Sequence, residues 1–120
     1  MKKSKVNVAD NQETFFGYTL SIINGKWKLL IIYYLSQNGA VRYNELQRMI
    51  GKITYRTLSS TLKEMENDGL IHREEYPQIP PKVEYSLTEK GQTLWPLIQE
   101  MCQWGEHNKG KTDTLNGGMD

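Results

Sequence analysis

Arg56, Ser60 and Lys63 stand four and three residues apart, so on a helix they share one face. Ser59 falls at the edge of that face and Tyr55 on its flank. No acid interrupts the face until Glu64 and Glu66. Leu58, Leu62, Met65, Thr54 and Thr61 gather within roughly 60° on the opposite side. An arginine can bond O6 and N7 of guanine with two donors, and a serine can serve base or phosphate. A tyrosine can reach a phosphate oxygen or a thymine methyl. Small hydroxyl side chains let a helix axis sink into a groove. This is the chemistry of a helix that reads a major groove. An ordinary solvated helix face is the plainer alternative.

The wider charge distribution supports the first reading. The 120 residues carry 15 basic and 14 acidic groups, a formal net charge of +1. From Lys26 to Lys63, however, seven cations (Lys26, Lys28, Arg42, Arg48, Lys52, Arg56 and Lys63) meet one acid, Glu45, which leaves +6. The rest of the chain, with eight basic and thirteen acidic residues, carries −5. A chain polarised this way can attract a polyanion with one face and stay in solution with the other. Lys26, Arg42, Tyr43 and Asn44 sit at expected helix starts, where contacts to backbone phosphates position without specifying. Lys82 lies in a proline-stiffened turn and Arg73 on the strand that flanks it. Narrow minor grooves attract inserted cations.

Other chemistries find little support. His72 and His107 lie far apart, with no ligand-type residue at metal spacing around either. There is no glycine-rich phosphate loop and no serine nucleophile elbow. An enzyme is therefore not expected, and no cofactor is expected. One cysteine forbids an internal disulfide or a two-cysteine metal site. The longest apolar run, Trp27 to Leu35, is broken by Lys28 and falls far short of the ~20 residues that span a bilayer. The lysines at the N-terminus precede no apolar stretch, so no signal peptide is read and a cytoplasmic location is expected. A composition 38% hydrophobic and 10% aromatic excludes wholesale disorder.

The elements that must position these residues can be read in order. Residues 1–12 and 108–120 read as polar tails, leaving one domain over 13–107. Thr14 caps a first helix from Phe15 to about Ile23, which Asn24-Gly25 breaks. A second helix from Lys26 to about Gln37 is apolar nearly all round, so it belongs at the centre of the core. A short extended piece over Ala40 to Arg42 follows. A third helix, Tyr43 to about Ile50, turns inward Tyr43, Leu46, Met49 and Ile50. Thr54 then caps a fourth helix that reaches Asp68, with Gly69 beyond its end. Two helices joined by a tight glycine-containing turn make a helix-turn-helix. Leu70 to Tyr76 and Val83 to Leu87 read as a hairpin around a stiff tip, Pro77 to Lys82. Thr88 caps a last helix to about His107, which Pro96 should bend. The fold class is mainly α with a small β-hairpin (α+β): a winged helix-turn-helix.

Whole words of the sequence resemble the HxlR-type family of bacterial transcription regulators, which is related to MarR-like proteins. They are Ile22-Ile23-Asn24-Gly25-Lys26-Trp27, Arg42-Tyr43-Asn44-Glu45-Leu46, the run Leu58 to Glu66, Asp68-Gly69-Leu70-Ile71, the run Tyr76 to Gly91, and Cys102-Gln103-Trp104-Gly105. Together they cover about residues 14–107. The resemblance implies a homodimer on double-stranded operator DNA, with the helix over about 54–68 in a major groove and the wing over about 77–82 flanking it. Repression is the outcome it favours. It also implies a dimer interface built from the helices at the two chain ends.

The terminal helices agree independently. Leu94, Leu97, Ile98, Met101 and Gly105 form a stripe that Trp95, Cys102 and Trp104 widen, and Phe15 and Phe16 extend the apolar surface of the first helix. That width exceeds what one small domain's core demands. Many members of the resembled family carry a cysteine just before the first helix, in some a redox or electrophile sensor. Thr14 stands near that position here, so no thiolate switch exists there. Cys102 reads as a buried structural cysteine near the interface. A winged-helix module that binds protein without DNA is the competing reading, and Arg56 and Lys63 argue against it. A small-molecule effector held between the terminal helices and the winged domain is a further reading. Phe15, Phe16, Tyr18, Trp27 and Trp95 could line its pocket, although core packing explains them equally well.

Overall fold

The computed structural model describes residues 13–110. The elements are α1 (Phe15–Ile23), α2 (Lys28–Asn38), β1 (Val41–Arg42), α3 (Tyr43–Ile50), α4 (Tyr55–Asn67), β2 (Ile71–Tyr76), β3 (Lys82–Leu87), α5 (Glu89–Gln92) and α6 (Trp95–Asn108). The strands form one antiparallel sheet in the order β1-β3-β2, a hairpin whose β3 pairs at its middle with the short β1 on its other edge. The tails expected over 1–12 and 108–120 lie outside the described residues, apart from 108–110.

Most boundaries follow from local chemistry. Thr14 Oγ1 accepts the Gly17 N–H at 2.9 Å and starts α1. Thr54 Oγ1 accepts the Thr57 N–H at 3.1 Å and starts α4. Thr54 is exposed rather than on the core face, because a capping residue stands outside the helical cylinder. At the far end of α4, the Gly69 N–H bonds Glu66 O and the Leu70 N–H bonds Met65 O, both at 3.0 Å. This closing motif needs a left-handed residue between the helix and the strand, and Gly69 supplies it at φ +78°.

α2 lies at the centre, with α3, β3 and α6 packed on it. Its Ile31, Ile32 and Leu35 meet Leu46 of α3, Leu58, Leu62 and Met65 of α4, Leu70, Tyr85 and Ile98 in one buried cluster. One charge lies inside this frame. The Lys28 side chain is 6% exposed, and its Nζ is 2.6 Å from Oε2 of Glu64, itself 58% exposed. The pair ties the start of α2 to the second half of α4. Glu64→Ala leaves a buried ammonium without its carboxylate. A loss of about 2 kcal/mol is expected, moderated by the solvent around Glu64. Urea unfolding should show a lower midpoint with an unchanged slope, and Lys28→Met should restore most of the stability of Glu64→Ala.

Three expectations give way. α2 begins at Lys28, two residues later than read, since Gly25 at φ +106° and its neighbours form the preceding turn. The single helix expected from Thr88 to His107 is two, α5 and α6, broken at Thr93-Leu94. Pro96 therefore does not bend a helix. It occupies the first turn of α6, where a missing N–H has no intrahelical acceptor to lose. Lys82, expected in the turn, is the first residue of β3, paired opposite Tyr76.

Candidate nucleic-acid interface

Arg56, Ser60 and Lys63 are all exposed on α4. The Ser60 hydroxyl donates to Thr57 O at 3.2 Å, which leaves its lone pairs outward. Arg56 and Lys63 form no ion pair or hydrogen bond among the described residues. Two free cations and a hydroxyl thus share one helical face. The opposite face, Leu58, Leu62 and Met65, is fully buried, so α4 cannot rotate without bringing those side chains into water.

The start of this helix is fixed by a contact that spacing does not reveal. The Tyr43 hydroxyl donates to Tyr55 O at 2.9 Å and lies 3.0 Å from Ser59 Oγ, which then donates to it. The Tyr43 ring stands 5.1 Å from that of Tyr55. Burial pushes the Tyr43 phenol above its ordinary pKa, against the lowering effect of the Ser59 bond. Tyr43 and Ser59 were expected at DNA. Here they lock the first turns of α3 and α4 together, the two halves of the helix-turn-helix. Tyr55 remains mostly exposed beside Arg56.

The other candidates divide into free and engaged groups. Arg42 and Asn44 are exposed at the start of α3, where the Glu45 carboxylate accepts the Arg42 N–H at 3.1 Å. Lys26 is exposed with its ammonium 4.6 Å above the Trp27 ring. Lys52, in the turn between α3 and α4, is an exposed cation that motif reading does not single out. Its place in the turn of a basic segment is the signal that could have found it. On the wing, Lys82 Nζ lies 4.4 Å above the Tyr76 ring and 3.7 Å from Glu84 Oε2. Arg73 reaches Glu75 at 3.4 Å. The side chain of Tyr85, its partner across the strands, is the largest cause holding the Arg73 guanidinium above the ordinary range. Neither cation stands at the wing tip.

The terminal helices separate into an inner and an outer set. Ile98, expected at an interface between subunits, is buried in the protomer's own core, and Leu94 packs against that core. The reason is register, since Ile98 follows Leu94, the residue that caps α6, by four and both meet the core. Leu97, Met101 and Trp104 recur at i, i+4 and i+7 on another side and are exposed, Trp104 at 70%. Cys102, expected to be buried, is exposed as well. It follows Ile98 on the inner side by phase, but the second half of α6 extends past the elements that would cover it. On α1, Phe15 is 94% exposed and Phe16 is exposed beside it. The five aromatics proposed for an effector pocket do not converge. Trp27 and Trp95 pack on the core, while Phe15, Phe16 and Tyr18 face outward.

Among the described residues no group of three His, Cys, Asp or Glu could hold a metal ion. Among them, too, no helix is long and apolar enough to cross a membrane.

Comparison with known proteins gives a consistent pattern. A family model described as HxlR-like helix-turn-helix matches residues 22–113. An HTH-type transcriptional regulator of Halalkalibacterium halodurans is 58% identical over 109 residues, which cover 91% of this chain and 96% of that protein. A solved MarR-family regulator from Porphyromonas gingivalis W83 superposes with a TM-score of 0.77 at 39% identity, covering 82% of this chain and 95% of that one. The redox regulator HypR in its oxidized form superposes with a TM-score of 0.75 at 47% identity, covering 81% and 99%.

Proposed function

Because the chain belongs to the HxlR-like helix-turn-helix family and is a DNA-binding transcriptional regulator, we propose that it acts as a homodimer on operator DNA. In this reading α4 of each subunit enters a major groove and the β2–β3 wing flanks it. The observation that carries the reading is the outward face of α4. Arg56 and Lys63 are exposed there and have no partner among the described residues, while the buried opposite face holds the helix rigid. Arg42, Asn44, Lys52 and Lys26 supply phosphate contacts around it.

Dimerisation is supported by the apolar surface that a lone protomer leaves in water. Phe15, Phe16, Leu97, Met101 and Trp104 are all exposed. Covering them with a second copy removes a hydrophobic cost and sets two recognition helices about one DNA turn apart. Repression is the simpler outcome, since a dimer seated across two half-sites excludes other proteins by occupancy alone. Such a regulator works where bacterial DNA lies, in the cytoplasm.

The test is a fluorescence-anisotropy titration of the purified protein against duplex DNA from upstream of its own gene and its neighbour, and against a shuffled duplex. Tighter binding to upstream DNA, weakening as salt rises, is the expected result. Sedimentation should give a species of twice the 13.9 kDa chain mass. Failure to bind any duplex at low salt would leave the protein-interaction module as the better reading.

A further inference from the structure

The wing presents a surface opposite in character to the cationic tip that its flanking residues suggest. Pro77 to Pro81 carry no charge, and all five are exposed. At their centre Ile79 is 99% exposed, more than any other large apolar side chain described. The nearest cations are turned away, Lys82 onto the Tyr76 ring and Glu84, and Arg73 toward Tyr85 and Glu75. Below the tip, the stem holds two cations against three carboxylates (Glu74, Glu75 and Glu84), with Glu74 directly opposite Glu84.

We propose that Ile79 is a DNA-contacting residue that enters the minor groove beside the α4 seat as an apolar wedge. The proposal rests on the DNA-binding reading above. A stem rich in carboxylates is repelled by phosphates, so the wing approaches the duplex tip first. An uncharged tip has nothing to offer a phosphate, whereas the sugar walls and base edges of the minor groove accept apolar side chains. Isoleucine and proline are among the residues that wedge between base steps there. The three prolines hold φ fixed, so presenting Ile79 costs little conformational entropy. The site is also continuous with the reading helix, since the Gly69-Leu70 motif passes the chain from α4 straight into β2.

The experiment uses the full chain and the tightest duplex that the parent recovers from a random pool. Ile79→Ala should bind that duplex about tenfold more weakly. The slope of log affinity against log salt should not change, because an apolar contact releases no counterion. Ile79→Leu should retain most of the affinity. In a hydroxyl-radical footprint, Ile79→Ala should lose the protected sugars that flank the major-groove site while the centre stays protected. Thermal melting of Ile79→Ala should match the parent, given the exposure of this side chain. Unchanged affinity and footprint in Ile79→Ala, with Arg56→Ala weakened in the same assay, would overturn the wedge alone and point to a protein partner for the tip. Recovery of no duplex by the parent would overturn the DNA-binding reading, and the wedge with it.

Discussion

Gly91→Ala is expected to lower the stability of the protein by about 3 kcal/mol, the cost of overpacking a closed backbone junction. A Cβ on Gly91 would stand 2.2 Å from Leu70 O, 3.2 Å from Leu70 C and 3.2 Å from Leu87 Cδ2. The first two are backbone atoms and cannot rotate aside. Leu70 O is also held twice by Thr88, whose N–H bonds it at 3.0 Å and whose hydroxyl lies at 3.1 Å. That hydroxyl lies 2.6 Å from Gly69 O and accepts the Gly91 N–H at 3.0 Å. The end of α4, the base of the wing and α5 therefore meet in one small hydrogen-bonded knot. Relief requires α5 to move off Leu70, which disturbs the wing and the end of the recognition helix together. Differential scanning calorimetry should show a drop of roughly 12–24 °C in Tm. A Tm within a few degrees of the parent would mean that α5 can move off Leu70 at little cost.

Arg56→Ala should weaken binding to the operator by ~1–3 kcal/mol if the guanidinium reads a base. Arg56 has no partner within the described protomer, so its removal breaks nothing in the fold, and circular dichroism should match the parent. The loss should be largest on duplexes that carry the contacted base and small on shuffled DNA. Arg56→Lys should recover little, because an ammonium cannot form the two-donor fork. Lys63→Ala provides the contrast. If Lys63 pairs with a phosphate, its removal should weaken binding to all duplexes alike and reduce the salt slope by about one. Equal weakening on all duplexes in Arg56→Ala would move Arg56 to the phosphate class. No weakening at all would remove α4 from the interface.

Much of the frame was legible because its signals act over a few residues. Thr14, Thr54 and Thr88 each cap a helix by accepting an N–H three residues on, a geometry that depends on nothing distant. Gly69 ends α4 for the same local reason. The alternation of Val83, Tyr85 and Leu87 against Glu84 and Ser86 marked a strand, and Tyr85 is indeed buried. Pro96 misled because its effect depends on position. Inside a helix it bends, in the first turn it fits, and the break at Thr93-Leu94 decides between them.

By itself, the sequence determined the order of elements as far as β3, the buried face of α4 and the cationic face opposite it, since helical phase follows from residue types at fixed spacing. Only the tertiary structure decided which polar groups remain free. Lys28 is consumed by Glu64, 36 residues away, and Tyr43 by Tyr55 and Ser59 across the turn of the motif. Lys82 is folded onto Tyr76, which leaves Ile79 at the wing tip. On α6, tertiary packing split one broad apolar stripe into Leu94 and Ile98 for the core and Leu97, Met101 and Trp104 for the surface. Charge and hydrophobicity are properties of a residue, but availability depends on neighbours that only the folded chain brings within a few ångströms.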